Sequence, residues 1–247
     1  MGRVLYSIDQ IETNNLNDKK EEFKNFLKQL DQEIISLNNV KFYNNEFSSI
    51  LWEYFTDNPF LEGNFENRTV IDIGANIADT PLFLAQEGAT VFAFEPVPET
   101  YEMGKENIEL NPDLKNNIHM YNNAISGENE FIKIYTETNE DSAGANSFIK
   151  TEKWIEIEAF TIKQIIEKFN IKPDILKMDC EGAEYSIIKK SDLSCFKKIM
   201  LEYHEKFVDI PYQVLVTDLE KMGFKVSVKS FHPYNLNEFG FIIATKD

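Results

Sequence analysis

From Thr69 to the end of the chain, short apolar runs alternate with amphipathic stretches. Residues 70–73, 91–94, 118–124, 175–178 and 198–203 have the length and apolar continuity of buried strands. The spacing between them is helical. One helix is predicted to start at Thr80-Pro81, as N-cap and first helical residue, and to stop at Gly88. Others are predicted over 99–110, with Gly104 inside, over 183–190, and over 212–222 before Gly223. Thr161 and Gln164 form a capping box ahead of Ile162, Ile165, Ile166 and Phe169, which share one face. Two stretches depart from this rhythm. Residues 130–135 and 147–158 alternate with period two, like antiparallel strands joined by the polar loop 136–146. Residues 224–229 and 239–245 are predicted to close the chain as a hairpin. Strand–helix alternation of this kind makes a mostly parallel sheet covered on both faces. Ligands of such sheets bind beyond the carboxyl ends of the strands.

The first 67 residues read differently. Phe23, Phe26, Leu27, Leu30, Ile34 and Leu37 lie at helical spacing over 18–37, and the aromatic-rich stretch 47–55 is also predicted helical. Asn58-Pro59 and Glu62-Gly63-Asn64 are breakers. The expected organisation is an N-terminal helical cap, 1–67, followed by a larger domain, 68–247. Aromatic side chains of the cap are candidates to roof a substrate cleft.

The 247 residues carry 25 basic and 42 acidic side chains, a net charge of −17. There is no cationic face for nucleic acid, and an anionic membrane would repel the chain. No uninterrupted apolar run exceeds four residues, so no membrane-spanning helix is expected. The first residues show no secretory hydrophobic region, and Cys180 and Cys195 make neither a disulfide framework nor a zinc set. The expectation is a cytoplasmic protein acting without nucleic acid or membrane. It leaves homo-oligomerisation open.

The chemistry gathers at strand ends. The first strand of the sheet runs into Asp72-Ile73-Gly74-Ala75-Asn76-Ile77-Ala78-Asp79. Gly74 lets the backbone turn sharply and approach a ligand. A dinucleotide fingerprint needs glycine at 74, 76 and 79, where the chain has Gly, Asn and Asp, and there is no Walker lysine. The second strand ends at Glu95, a residue type that accepts two hydrogen bonds from a ribose diol.

These segments, with 92–96, 123–126 and Leu176-Lys-Met-Asp-Cys-Glu-Gly-Ala-Glu184, resemble the FkbM family from about Thr69 to Thr245. The Lys-x-Asp-x-Glu-Gly-x-Glu stretch is the most family-specific piece. The resemblance implies a Rossmann-like class I methyltransferase with a mostly parallel seven-stranded sheet. It implies S-adenosylmethionine as cofactor and a hydroxyl of a small-molecule or saccharide-like substrate as acceptor. It assigns Asp72, Gly74 and Asn76 to the methionine end of the cofactor, Glu95 to the ribose, and Asn123 and Ala124 to the border of the adenine. Ala78 stands where the family commonly has glycine.

Asp179, at the end of the fourth strand, and His204, at the end of the fifth, are the candidate catalytic bases; His204 has the more suitable ordinary pKa, about 6.5. Glu181 and Glu202 are candidate substrate-binding residues, while Glu181 and Glu184 also suit helix-start capping. Asp179, Glu181, Glu202 and His204 have oxygen and nitrogen donors for a divalent ion, but strand-end carboxylates are common without metal, and none is assigned. The alternatives are a cofactor-binding module without catalysis and, behind it, an NAD-dependent oxidoreductase.

Overall fold

The computed structural model describes residues 5–7, 20–55, 58–128, 130–135, 154–230 and 236–246. The loop 136–146, the start of the second alternating stretch at 147–153, residues 18 and 19, and His232 fall outside them.

Strand β1 (Leu5–Ser7) is followed by helix α1 (Lys20–Gln29), which buries Phe23 and Leu27. The helix predicted to continue to residue 37 stops there. Ile34 and Leu37 belong instead to strand β2 (Ile34–Leu37), which pairs antiparallel with β3 (Val40–Tyr43) and parallel with β1. Asn38 and Asn39 explain the difference. Both are left-handed, at φ +50° and +66°, as a two-residue hairpin turn demands, and asparagine tolerates this better than most residues. Local turn chemistry and paired isoleucines outweigh the helical spacing. The N-terminal part is therefore mixed rather than all-helical. A 3-10 helix over Glu46–Phe55 completes it.

The central sheet begins with β4 (Thr69–Ile73), crosses over through α2 (Asp79–Gln86) to β5 (Thr90–Phe94), and through α3 (Pro98–Glu109) to β6 (Ile118–Tyr121). The short β7 (Ala124–Ile125) then leaves the sheet and pairs with β9 (Trp154–Phe160), which is antiparallel to β8 (Glu130–Tyr135). Helix α4 (Ile162–Phe169), opened by the predicted capping box, returns the chain to β10 (Ile175–Met178). Helix α5 (Ala183–Lys190), β11 (Lys198–His204), α6 (Glu205–Val208), α7 (Gln213–Lys221), β12 (Lys225–Ser230) and β13 (Phe239–Thr245) finish it.

The strand order is β12-β13-β11-β10-β4-β5-β6. β6, β5, β4, β10 and β11 pair in parallel. β13 is inserted antiparallel between β11 and β12, which is how the predicted closing hairpin is built in. This is the expected Rossmann-like α/β sheet. Chain order reverses between β4 and β10, so the ligand crevice of such a fold lies beyond the ends of these two strands. Register fixes what faces it. Ile73 pairs with Phe94 and with Met178, which brings Gly74, Glu95 and Asp179 level at one edge.

The N-terminal part shares a core with this sheet. Phe23, Leu27, Ile35, Phe42, Leu51 and Trp52 pack in one cluster with Ile77, Leu82 and Phe83 around α2.

Candidate active site

The loop after β4 is shaped by close approach. A Cβ on Gly74, at φ +81°, would stand 1.7 Å from the carbonyl oxygen of Asp179. No side chain fits there, and glycine is the residue that adopts that φ freely. Asn76 (φ +46°) and Ala78 (φ +63°) are left-handed as well. The helix predicted to begin with Thr80 as cap and Pro81 as first residue begins two residues earlier, at Asp79, with Ala78 in the cap position. Proline is tolerated throughout the first turn, where N–H groups have no helical partner. The Thr80 hydroxyl lies 3.0 Å from the Tyr54 hydroxyl instead of capping the helix. A left-handed cap position accounts for the common glycine there. The Ala78 methyl is wholly buried in the cluster around α2, away from any open surface.

Below the loop, fully buried Asp72 meets Lys177 of β10, its register partner, with Nζ 3.0 Å from Oδ1. Nζ also donates to the Gly74 carbonyl at 3.0 Å. Burial pushes Asp72 up to about 6 against the pull of Lys177. Burial also opposes the Lys177 ammonium, but Asp72, Asp179 and Asp79 outweigh it and raise its pKa. Both groups therefore stay charged at neutral pH. Asp72 is thus a foundation under the loop, and Lys177, unassigned by sequence reasoning, holds the loop carbonyl.

Glu95 clamps the loop from the other side. Its Oε2 accepts the Asn76 N–H and its Oε1 accepts the Val97 N–H, both at 2.9 Å. Burial pushes its pKa up to about 7, despite those two donors. Each oxygen keeps a lone pair for a ligand hydroxyl. The Asn76 Oδ1 is buried and has no hydrogen-bond partner among the described residues. Asn123 is half-buried between β6 and β7, and Ala124 is buried in β7. Their neighbour Asn122, which sequence reasoning passed over, bonds the carbonyls of Glu95 and Pro96, both at 2.9 Å.

At the next strand ends, four carboxylates surround His204. Fully buried Glu184 accepts the His204 N–H at 2.9 Å and the Gly182 N–H at 2.9 Å, and lies 3.2 Å from His204 Nδ1. Nε2 faces Glu181 at 3.5 Å and Asp179 and Glu202 at 3.8 Å. Burial opposes a charged imidazole, but Glu181, Glu184 and Glu202 together raise its pKa well above 6.5. The ordinary pKa expected of His204 from the sequence is therefore shifted upward by the carboxylates around it. Burial, and then Asp179, push Glu202 well above the ordinary carboxylate range. Glu184 is held below its ordinary value, because the His204 contact outweighs burial.

The N-terminal part reaches this edge. The Tyr54 hydroxyl donates to Asp79 Oδ2 at 2.9 Å, and its ring packs on Phe83 with centroids 4.2 Å apart. Glu53 is among the charges acting on Glu202.

Residues 72–241 match the model of the methyltransferase FkbM domain. The chain belongs to the FkbM methyltransferase family. A hexuronic acid methyltransferase, AglP of Haloferax volcanii, is 27% identical over 147 residues, covering 58% of this chain and 59% of that protein. The chain thus aligns with about three fifths of the curated relative it matches. The solved methyltransferase FkbM from Methylobacillus flagellatus KT shares the fold with a TM-score of 0.52 at 12% identity, over 91% of this chain and 58% of that one. Within this FkbM-family chain, Asp72, Gly74, Asn76 and Glu95 form one connected edge, and Asp179, Glu181, Glu202 and His204 a second. The Asp179 carbonyl against Gly74 joins them. Lys177 had a signal in the sequence: a lysine inside a short apolar strand needs a buried anion.

Proposed function

We propose that the chain is an S-adenosylmethionine-dependent methyltransferase acting on a hydroxyl oxygen of a small-molecule or saccharide-like acceptor. Family membership supports methyl transfer. The observation that carries the cofactor reading is the Glu95 clamp, which puts a carboxylate with free lone pairs level with the glycine loop, at the switch point of the sheet. The residues fit the cofactor: Gly74 lets the loop lie against the Asp179 carbonyl, Asn76 Oδ1 is an acceptor without a donor among the described residues and suits an ammonium group, and Glu95 suits a ribose diol. Bound S-adenosylmethionine supplies an electrophilic methyl on its sulfonium. Asp179 and Glu202 orient the acceptor hydroxyl, and Glu202 takes its proton. His204 is fixed by Glu184 through Nδ1 and stands among the carboxylates. The division near residue 67 is one of role: residues 46–55 roof the acceptor position, and 68–247 holds the cofactor. The name of the AglP relative, with its acidic sugar, supports a saccharide acceptor.

The test is label transfer from S-adenosylmethionine to a panel of neutral, acidic and amino saccharides and small alcohols. An O-methylated product is expected, and Glu202→Gln should lower its rate by about 10²–10⁴-fold with cofactor affinity unchanged. Cofactor binding without transfer to any acceptor would leave only a binding module.

A further inference from the structure

Asp179, Glu181 and Glu202 converge on a single atom, Nε2 of His204, at 3.8, 3.5 and 3.8 Å. These separations exceed those of good N–H···O bonds, so Nε2 makes no such bond among the described residues, although the side chain is only 4% exposed. The other ring nitrogen is engaged by Glu184, whose side chain is wholly buried and lies behind the ring. A carboxylate behind the imidazole, with the far nitrogen left open, is the way metal-binding histidines are oriented. The donor atoms of Asp179, Glu181 and His204 all lie within 4.8 Å of one another. Two ligands about 2.1 Å from one ion stand about 3.0–4.2 Å apart, which brackets the observed 3.5 and 3.8 Å. Charge points the same way, since three carboxylates face one imidazole.

We propose that Asp179, Glu181 and Nε2 of His204 hold a divalent cation, with Glu202 beside it. Two carboxylate oxygens and one imidazole nitrogen suit a first-row divalent ion such as Mn²⁺ better than Ca²⁺, which takes an all-oxygen shell. Three protein ligands leave coordination positions open for acceptor hydroxyls. In that role, which rests on the proposed function, the ion lowers the hydroxyl pKa. The O–H bond breaks, its electron pair stays on oxygen, and the proton passes to Glu202. The ion also admits an acidic saccharide to a site otherwise lined by carboxylates.

The experiment is calorimetric titration of the metal-stripped full chain with Mn²⁺ and, separately, with S-adenosylhomocysteine. One Mn²⁺ per chain is expected, weakened about tenfold or more by Glu181→Gln. That variant should bind S-adenosylhomocysteine within about twofold of the wild type, which shows that it is folded. Absent Mn²⁺ binding in a wild type that binds S-adenosylhomocysteine, or equal Mn²⁺ binding by the variant, overturns the site. Mn²⁺ binding lost in the variant, in a chain that ignores S-adenosylhomocysteine, upholds the site and overturns the function it was assigned.

Discussion

Asp72 and Lys177 illustrate what single residues contribute here. Neither is exposed, and each is tolerable only because the other is present. Lys177→Ala leaves Asp72 buried and unpaired, so a loss of about 3–5 kcal/mol in denaturant unfolding is expected. A loss below about 1 kcal/mol would show that the pair is not the foundation of the loop. Glu95 gives a second prediction, in pH. Its pKa is raised to about 7, and its ionised form is the one that accepts ligand hydroxyls. Affinity for S-adenosylhomocysteine should therefore rise as pH rises, by about tenfold between about pH 6 and about pH 8 if only the ionised form binds. Glu95→Gln should flatten that dependence; a flat wild-type profile would place the ribose elsewhere. Gly74 and Glu95 were legible in the sequence because a strand-end glycine and a strand-end acid carry their chemistry with them. The state of His204 was not, since its proton affinity depends on carboxylates of the 179–184 segment that the sheet brings beside β11, as well as on Glu202 of its own strand.

Elements are tied to one another by side chains that no periodicity reveals. Asn107 on α3 and Asn111 just past its end act as an extra strand edge. Asn111 accepts the Lys41 N–H at 2.9 Å and donates to the Lys41 carbonyl at 2.8 Å. Asn107 accepts the Tyr43 N–H at 2.9 Å and donates to the Ile77 carbonyl at 3.0 Å. One residue thus bonds both the N-terminal hairpin and the loop beside the cofactor edge. Asn107→Ala removes both of these bonds and should cost about 2–4 kcal/mol, at about 1–3 per buried group less what water recovers. Thermal unfolding measures it, and an unchanged melting temperature would mean the hairpin docks without α3. Gly104 of the same helix, which reads as a local weakness, has a packing reason: a Cβ there would stand 2.6 Å from Met120 Cε and 3.2 Å from the Asn76 carbonyl. The β2–β3 turn was present in the sequence as Asn38-Asn39 between apolar runs, and was hidden by an overlapping helical spacing. Helices α4 and α5 were legible to the residue or nearly so, because their caps and breakers are local.

At the scale of the molecule, a parallel sheet supplies an edge where several strands end at one level, and the N-terminal part packs on α2 through a shared core. The alternation of strands and helices foretold the sheet. The shared core was not foretold, because long-range packing between residues 23–52 and α2 leaves no spacing to read. Among the described residues no helix is long and apolar enough to cross a membrane. The central claim is that this edge, with Gly74 and Glu95 level at the switch point, is built for S-adenosylmethionine. Calorimetric titration of the full chain with S-adenosylhomocysteine, beside NADH, and repeated on Glu95→Ala, tests it most directly. The account predicts one site for S-adenosylhomocysteine, none for NADH, and a loss of about 1.5–3 kcal/mol in the variant, the range for hydrogen bonds to a charged group. Binding of NADH but not S-adenosylhomocysteine, or equal S-adenosylhomocysteine affinity in wild type and Glu95→Ala, would contradict it.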